Sequence, residues 1–165
     1  LHDALPIYRK TKEELRRLGI ARGTASVELN DRELARIGIE EQVFIAYGYQ
    51  PVMISAGCIQ KTSASCDGKG GVLSISDRYQ KKFAVRRYCR DCYNVMYNSA
   101  PLFLADKAEE VHALAPAELR LDFTTESSGQ VKEICHAYTL AFEKGCKTEP
   151  PMQDYTRGHF KRGVK

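Results

Sequence analysis

Hydrophobic positions along the chain follow two periods, one typical of strands and one typical of helices. The β-branched and aromatic run at residues 43–47 predicts a buried strand. The run at 127–144 carries apolar residues at helical spacing and predicts the clearest helix. Asn30 followed by Glu33 predicts a capped helix over Asp31–Ile37. Strands alternating with helices are typical of βαβ units that surround a parallel sheet.

Shorter patterns complete this alternation. They predict strands at residues 24–30, 52–55, 102–104 and 119–123, and helices at 8–18 and 106–114. A β-hairpin is predicted from 72–76 and 83–87, which alternate apolar and polar residues around a polar connection. The apolar stripe of the helix at 127–144 comprises Val131, Ile134, Cys135, Tyr138 and Phe142. We therefore expect Cys135 to lie in the core.

About four βαβ units amount to half of a (β/α)8 barrel, which has about 250 residues. The predicted fold class is thus α/β, a partial TIM-like barrel with a cysteine-bearing β-hairpin in a cysteine-rich insertion at 56–98. A smaller open α/β sheet is the alternative. Residues 1–7 fit no predicted element, and we interpret them as a non-native leader. Residues 8–165 would form part of a single barrel domain and end in a basic tail at 149–165.

Four of the six cysteines fall close together, with the spacing Cys-x7-Cys-x22-Cys-x2-Cys. They are Cys58, Cys66, Cys89 and Cys92. A Cys-x-x-Cys turn lets two sulfurs reach one metal, and nearby loops can supply the other ligands. We favour an iron–sulfur cluster over a structural zinc site, because only one such knuckle is present. Disulfides or incidental thiols are the remaining interpretations.

Composition and charge exclude few classes of partner or cellular location. The 165 residues carry a formal charge of +4, which suits an anionic partner without requiring one. No run approaches the length of about 18 apolar residues that a transmembrane helix needs. No basic segment leads into an apolar one at the start, as a secretory signal would. We expect a cytoplasmic protein with no membrane partner.

Candidate catalytic residues follow from the barrel interpretation, because residues at the C-terminal ends of barrel strands face the active site. On that basis the candidates are Glu28, Tyr47, Arg120 and Asp122. Arg120 and Asp122 point the same way on a strand, where they could hold a carboxylate or phosphate or simply pair with each other. His159, in the basic tail, could act as a base or be merely solvated.

A series of motifs, in order, resembles the collagenase-like peptidase family (peptidase family U thirty-two). The match runs from about Ala25 to the C-terminus. Its motifs are Leu29-Asn30, Glu33-Leu34, Tyr47-Gly48, Pro51-Val52-Met53, Ser55-Ala56-Gly57-Cys58, Asp77-Arg78, Phe83-Ala84-Val85, Cys89-x-x-Cys92-x-Asn94, Tyr97-Asn98-Ser99, Arg120-Leu121-Asp122 and Thr156-Arg157-Gly158-His159-Phe160. Pro51 stands where the family has its first cysteine. That departure leaves either Cys92 or Cys135 to complete a set of four.

The resemblance implies a TIM-like barrel whose N-terminal half is missing here, and a four-iron–four-sulfur cluster held by cysteines, with zinc as the alternative metal. Relatives are labelled proteases, and others hydroxylate RNA bases or quinone precursors without oxygen, some with prephenate as co-substrate. The sequence shows no nucleophile–base pair. We therefore predict hydroxylation of an RNA base in tRNA or rRNA. A peptidase of collagenase type is the first alternative, and a zinc-stabilised, non-catalytic binding module is the second.

Overall fold

The computed structural model describes residues 8–20, 22–63, 65–66 and 68–163, so the predicted leader lies outside the described residues. The chain divides into two compact units. The outer unit comprises the chain up to Gly48 and from Leu102 onward, and the cysteine unit is Tyr49–Pro101. The helices are α1 (Arg9–Arg17), α2 (Asp31–Ile37), α3 (Ile59–Ser63), α4 (Ala108–Ala113) and α5 (Ser128–Phe142). The strands are β1 (Val43–Gly48), β2 (Pro51–Ser55), β3 (Gly71–Ser76), β4 (Lys82–Tyr88), β5 (Tyr93–Tyr97), β6 (Leu102–Phe103) and β7 (Glu118–Asp122).

The sheet of the outer unit has three strands in the order β6-β1-β7. The central strand β1 is almost entirely buried, as expected for a β-branched and aromatic run covered on both faces. It pairs in parallel with β7 and antiparallel with β6. Gly48 lies opposite Asp122, and a Cβ at Gly48 would come within 2.6 Å of the Asp122 carbonyl oxygen. Glycine is therefore required where these two strand ends meet.

Two helices of the outer unit, α2 and α5, begin at side-chain caps. Asn30 and Glu33 form a reciprocal capping box at α2, and Ser127 and Gln130 form another at α5. Helix α5 buries Ile134, Ala137, Tyr138 and Ala141 against the core of the unit. The Tyr138 hydroxyl donates to the Ala46 carbonyl at 2.6 Å and accepts from the Leu104 N–H at 2.9 Å. This side chain thereby joins the helix to β1 and to the end of β6.

The cysteine unit contains a four-stranded antiparallel sheet in the order β2-β5-β4-β3. The predicted hairpin is present as β3 and β4, paired over their whole length. Strand β2 lies at one edge and leaves Val52, Met53 and Ile54 more than half exposed. The sheet therefore has an open apolar edge, unlike the buried strand β1.

Several sequence-based expectations differ from the observed architecture. The chain is mixed α/β, but among the described residues only β1 and β7 pair in parallel as named strands, so four parallel βαβ units are not formed. The predicted strand at 24–30 reduces to one bridge between Thr24 and Val43, because the chain turns at 27–29 to enter the α2 cap. The helix predicted at 106–114 begins as a 3₁₀ turn, Ala105–Lys107.

The expectation that Cys135 is a core residue is wrong. Its side chain is exposed, whereas Ile134 beside it is 2% exposed. The buried face of α5 runs through Ala137 and Ala141, which the apolar stripe had omitted because alanine contributes little hydrophobic signal. Successive helical residues differ by about 100°, which turns Cys135 off this face. Within the described residues, no helix is both long and apolar enough to cross a lipid bilayer.

Candidate metal centre

The Cys-x-x-Cys motif forms the connection between β4 and β5. Tyr88 and Tyr93 pair across the strands at its base, and the Asp91 N–H donates to the Tyr88 carbonyl at 3.2 Å. Cys92 has a φ of 53°, a left-handed conformation that tightens the turn. Cys89 lies near Lys69, with its sulfur 3.3 Å from the Lys69 carbonyl oxygen. The two thiols are thus carried by a short turn that a two-stranded ribbon supports.

The other two cysteines flank α3. Cys58 immediately precedes this helix, and Cys66 follows it within hydrogen-bonding reach of the Cys58 sulfur. The Gly68 N–H donates to the Cys66 sulfur at 3.4 Å. Buried Asn94 on β5 donates to the Gly57 carbonyl at 2.7 Å. This hydrogen bond fixes the start of the Cys58 segment to the strand that follows the Cys-x-x-Cys turn.

All four cysteines line one cavity of about 150 Å³. The other residues on its wall are Lys61, Arg87, Tyr88, Tyr93 and Asn94. Sulfur is therefore the main ligand-type atom of the cavity, and its charged side chains are cations. Such a donor set suits soft metals such as zinc or iron–sulfur iron far better than it suits calcium or magnesium.

The electrostatic environment favours the thiolate of Cys58. Hydrogen bonds from the backbone N–H groups of Lys61 and Gln60 lower the pKa of this thiol, and the Cys66 thiol and the positive charge of Arg87 act in the same direction. Desolvation opposes them without reversing the shift. Because the thiolate is the form that ligates metals, this lowered pKa favours metal binding by Cys58.

The four cysteine sulfurs line one cavity, but they are not grouped around a single point. Among the described residues, no three histidine, cysteine, aspartate or glutamate side chains are grouped closely enough to hold a metal ion. The alternative ligand Cys135 lies on α5 in the outer unit, whereas the other four predicted ligands belong to the cysteine unit. The cavity therefore brings together Cys58, Cys66, Cys89 and Cys92 as one set.

Tyr47, predicted as a site residue, lies at the end of β1 in the outer unit. Its hydroxyl donates to a carboxylate oxygen of Glu126 at 2.8 Å. The other oxygen of Glu126 accepts from the backbone N–H groups of Thr124 and Thr125. Glu126 was missed in the sequence, where its position next to the α5 cap was the available signal. The tyrosine is buried against Phe123 and serves to anchor the β7–α5 loop.

Arg120 and Asp122 lie on β7 and pair with each other. The Arg120 Nε is 3.0 Å from a carboxylate oxygen of Asp122, and its guanidinium also donates to the Thr24 hydroxyl at 3.3 Å. Both side chains are about one-third exposed. The arrangement satisfies the guanidinium internally, which favours the salt-bridge interpretation over an open anion site.

Glu28 and His159 lie apart from this strand edge. Glu28 is exposed in the turn at 27–29, not at a strand end. His159 lies in the turn near the C-terminus, where its Nδ1 is 3.0 Å from the Gly163 carbonyl oxygen. A carbonyl can only accept, so Nδ1 carries the proton in this contact. Of the five predicted catalytic residues, the structure pairs only Arg120 with Asp122.

Comparisons with protein-family models, with curated proteins and with solved structures find no match to this chain. The arrangement of residues is therefore the basis of any functional assignment.

Proposed function

We propose that the chain holds an iron–sulfur cluster, ligated by Cys58, Cys66, Cys89 and Cys92, and takes part in RNA-base hydroxylation. The single observation that carries the proposal is that these four thiols line one cavity although they are far apart in sequence. The set is chemically suited to a four-iron–four-sulfur cluster, which proteins ligate with four cysteine thiolates. Closure of the four sulfurs around one centre is part of the proposal.

The positive side chains around the cavity support this assignment. Thiolate-ligated clusters carry negative charge, which Arg87 and Lys61 would offset. When bound, the cluster would supply one-electron transfer. The rings of Tyr88 and Tyr93 on the cavity wall would limit the access of competing ligands. The hydrogen bond from Asn94 to Gly57 would hold the Cys58 segment in place.

The size of the cysteine unit also favours a bound metal. Units below about 70–80 residues seldom gain enough stability from a core alone and often contain a metal or disulfides. Here the cysteine unit spans Tyr49–Pro101, with few buried side chains. The same observation supports the second candidate, a zinc-stabilised binding module without catalysis.

The family resemblance extends the proposal beyond the cavity. We propose that the parallel pair β1–β7 belongs to a TIM-like barrel completed by sequence preceding this segment, in the manner of the collagenase-like peptidases. Peptidase activity has less support, because the described cavity wall has no histidine or carboxylate to activate a cysteine nucleophile. RNA is the proposed partner, and prephenate is a proposed co-substrate.

Anaerobic purification of the full chain, with iron, sulfide and zinc analysis, tests the metal assignment. We expect four irons and four sulfides per chain and a broad absorption band near about 400 nm. Cys58→Ser and Cys89→Ser should lose the band, whereas the matched control Cys146→Ser should retain it. Stoichiometric zinc without sulfide would overturn the cluster and establish the zinc module. Metal-free protein would overturn both assignments.

A liquid chromatography–mass spectrometry assay tests the reaction. RNA incubated with the cluster-loaded chain and prephenate should gain the mass of one oxygen atom on a base. Release of peptides from gelatin, with no modified base, would instead establish the peptidase alternative.

A further inference from the structure

Positive charge is concentrated in the cysteine unit. Residues 49–101 contain eight lysines and arginines against three acidic residues, a formal charge of +5. The rest of the chain has seventeen basic and eighteen acidic residues, a formal charge of −1. The overall formal charge of +4 is therefore the sum of a strongly basic cysteine unit and a nearly neutral outer unit. Such a concentration favours an anionic partner for this unit in particular.

The turn between β3 and β4 presents part of this charge at its tip. The Asp77 carboxylate accepts hydrogen bonds from the backbone N–H groups of Tyr79 and Lys81, at 2.8 and 2.9 Å. Gln80 completes the turn with a φ of 62°. The only acidic group of the turn is thus used to shape it. These hydrogen bonds involve the backbone, and not the side chains, of Tyr79 and Lys81.

The side chains of the tip combine cations with an aromatic ring. The Arg78 guanidinium lies over the Tyr79 ring, 4.6 Å from its centroid, and Tyr79 is still 70% exposed. Lys81 and Lys82 are exposed as well. The segment 78–82 contains no aliphatic residue. An anionic membrane would be met by inserted apolar side chains, so this composition fits nucleic acid better.

One face of the sheet continues the basic surface away from the tip. Lys82, Arg86 and Tyr88 alternate on the same face of β4, and the Tyr88 ring stacks on Tyr93 at 4.6 Å and 7°. Across β3 and β4, the residues that share this face are the small residues Ser74, Ser76 and Ala84 and also Val72, which is 47% exposed. The seven residues of β4 extend over about 20 Å. Lys82 and Arg86 thus form a strip of cations between the tip of the turn and the stacked tyrosines.

We propose that this strip, from Arg78 and Tyr79 at the tip to the Tyr88–Tyr93 stack, binds single-stranded nucleic acid. Cations would contact successive phosphates, and Tyr79 would stack on an unpaired base. A duplex hides its base faces, so the exposed ring is useful only with a single strand. The inference deepens the proposed function by naming the surface that holds the RNA, yet it uses none of the cysteines.

Fluorescence anisotropy of the full chain with labelled single-stranded RNA of about 12 nucleotides tests the proposal, over salt from about 50 to 200 mM. Tyr79→Ala should weaken binding between about 5-fold and 100-fold, the usual effect of losing one base stack. Tyr79→Phe preserves the ring and should bind like the parent chain. This pair separates stacking from a general disturbance of the tip.

Two charge variants test the phosphate contacts. Lys81→Gln with Lys82→Gln should reduce the slope of log affinity against log salt by about 1.4, since each contact to a single strand contributes about 0.7. The matched control, Lys132→Gln with Lys144→Gln, removes the same charge from exposed positions in the outer unit and should leave the slope unchanged.

Three results would overturn the inference. They are equal weakening by the outer-unit control, equal or tighter binding of a duplex of the same length, and binding to phosphatidylserine vesicles without binding to RNA. Iron and sulfide content is measured on the same samples. Loss of RNA binding with a full cluster would contradict only this surface, whereas absence of metal with intact RNA binding would contradict only the cluster.

Discussion

The buried hydrophobic residues of the outer unit form one cluster, in which Phe103 and Leu34 are at most 1% exposed. In the described part of the cysteine unit, the only buried residues besides Asn94 are Val85, Val95, Tyr97 and Pro101. The outer unit can therefore rely on burial of apolar surface, the main driving force of folding. The cysteine unit has a hydrogen-bonded four-stranded sheet but few buried side chains. The comparison teaches that a regular sheet is not evidence of a stabilising core.

The largest expected effect comes from removing a proposed ligand. Cys58→Ser should prevent metal binding, and amide protection along β3, β4 and β5 should then fall to that of a barely stable sheet. Hydrogen exchange followed by mass spectrometry measures this protection. Cys146→Ser, in the outer unit, is the control and should change nothing. Full protection of these strands in metal-free Cys58→Ser would mean that the unit needs no metal for its stability.

Truncating a core side chain tests how much buried apolar surface stabilises the outer unit. Phe103→Ala should lower the free energy of unfolding by about 3–5 kcal/mol, because a fully buried ring against Tyr138 and Tyr155 is replaced by a cavity. Urea unfolding followed by circular dichroism measures it. The exposed Val52→Ala of β2 is the comparison and should cost no more than about 0.5 kcal/mol. Similar losses at the two positions would remove the distinction between the units.

The Tyr138 hydroxyl offers a subtler test of the outer unit. Tyr138→Phe leaves the Ala46 carbonyl and the Leu104 N–H without this buried partner, at a cost of about 1–3 kcal/mol. Tyr155→Phe serves as the control, since its hydroxyl makes only a 3.4 Å contact with Arg157 at the surface. Thermal melts of both variants measure the loss of stability in each. An equal shift in the two would show that the buried bridge contributes nothing special.

The smallest expected effect concerns the pH dependence of a surface pair. The hydrogen bond from Lys161, 2.7 Å away, lowers the pKa of Asp31. A lowered carboxyl pKa contributes stability above the unfolded-state value of about 3.9, and the contribution is lost as pH falls through the folded-state value. Asp31→Asn should therefore cost less than about 1 kcal/mol at pH 7 and progressively less in acid. Urea titrations at several pH values measure it, and a pH-independent cost would contradict the pair.

Local signals predicted several individual elements, although α3 and β5 had no predicted counterpart. Asn30 with Glu33 and Ser127 with Gln130 set the starts of α2 and α5, because a cap satisfies the N–H groups of its own first turn. The alternating hairpin at β3 and β4 likewise depends on neighbours in sequence. The strand expected at 24–30 failed because strand formation needs a partner, and here only Thr24 reaches one.

These local patterns did not predict which strands pair or which side chains are buried. Nothing near Leu102 in the sequence fixes its antiparallel pairing with Gly48, and the exposure of Cys135 follows from which face of α5 meets the core. The Tyr47–Glu126 contact joins residues 79 positions apart. Such contacts are decided by long-range packing, which a periodic pattern does not encode.

By itself the sequence determined the caps, the hairpin and the presence of four closely spaced thiols, because each depends on residue types at short, fixed distances. Only the tertiary structure decided that those thiols line one cavity with Arg87 and Lys61, and that Lys82 and Arg86 share a face of β4 with Tyr88, which stacks on Tyr93. Both arrangements require strand register, since a shift of one residue would turn every side chain of a strand to the opposite face.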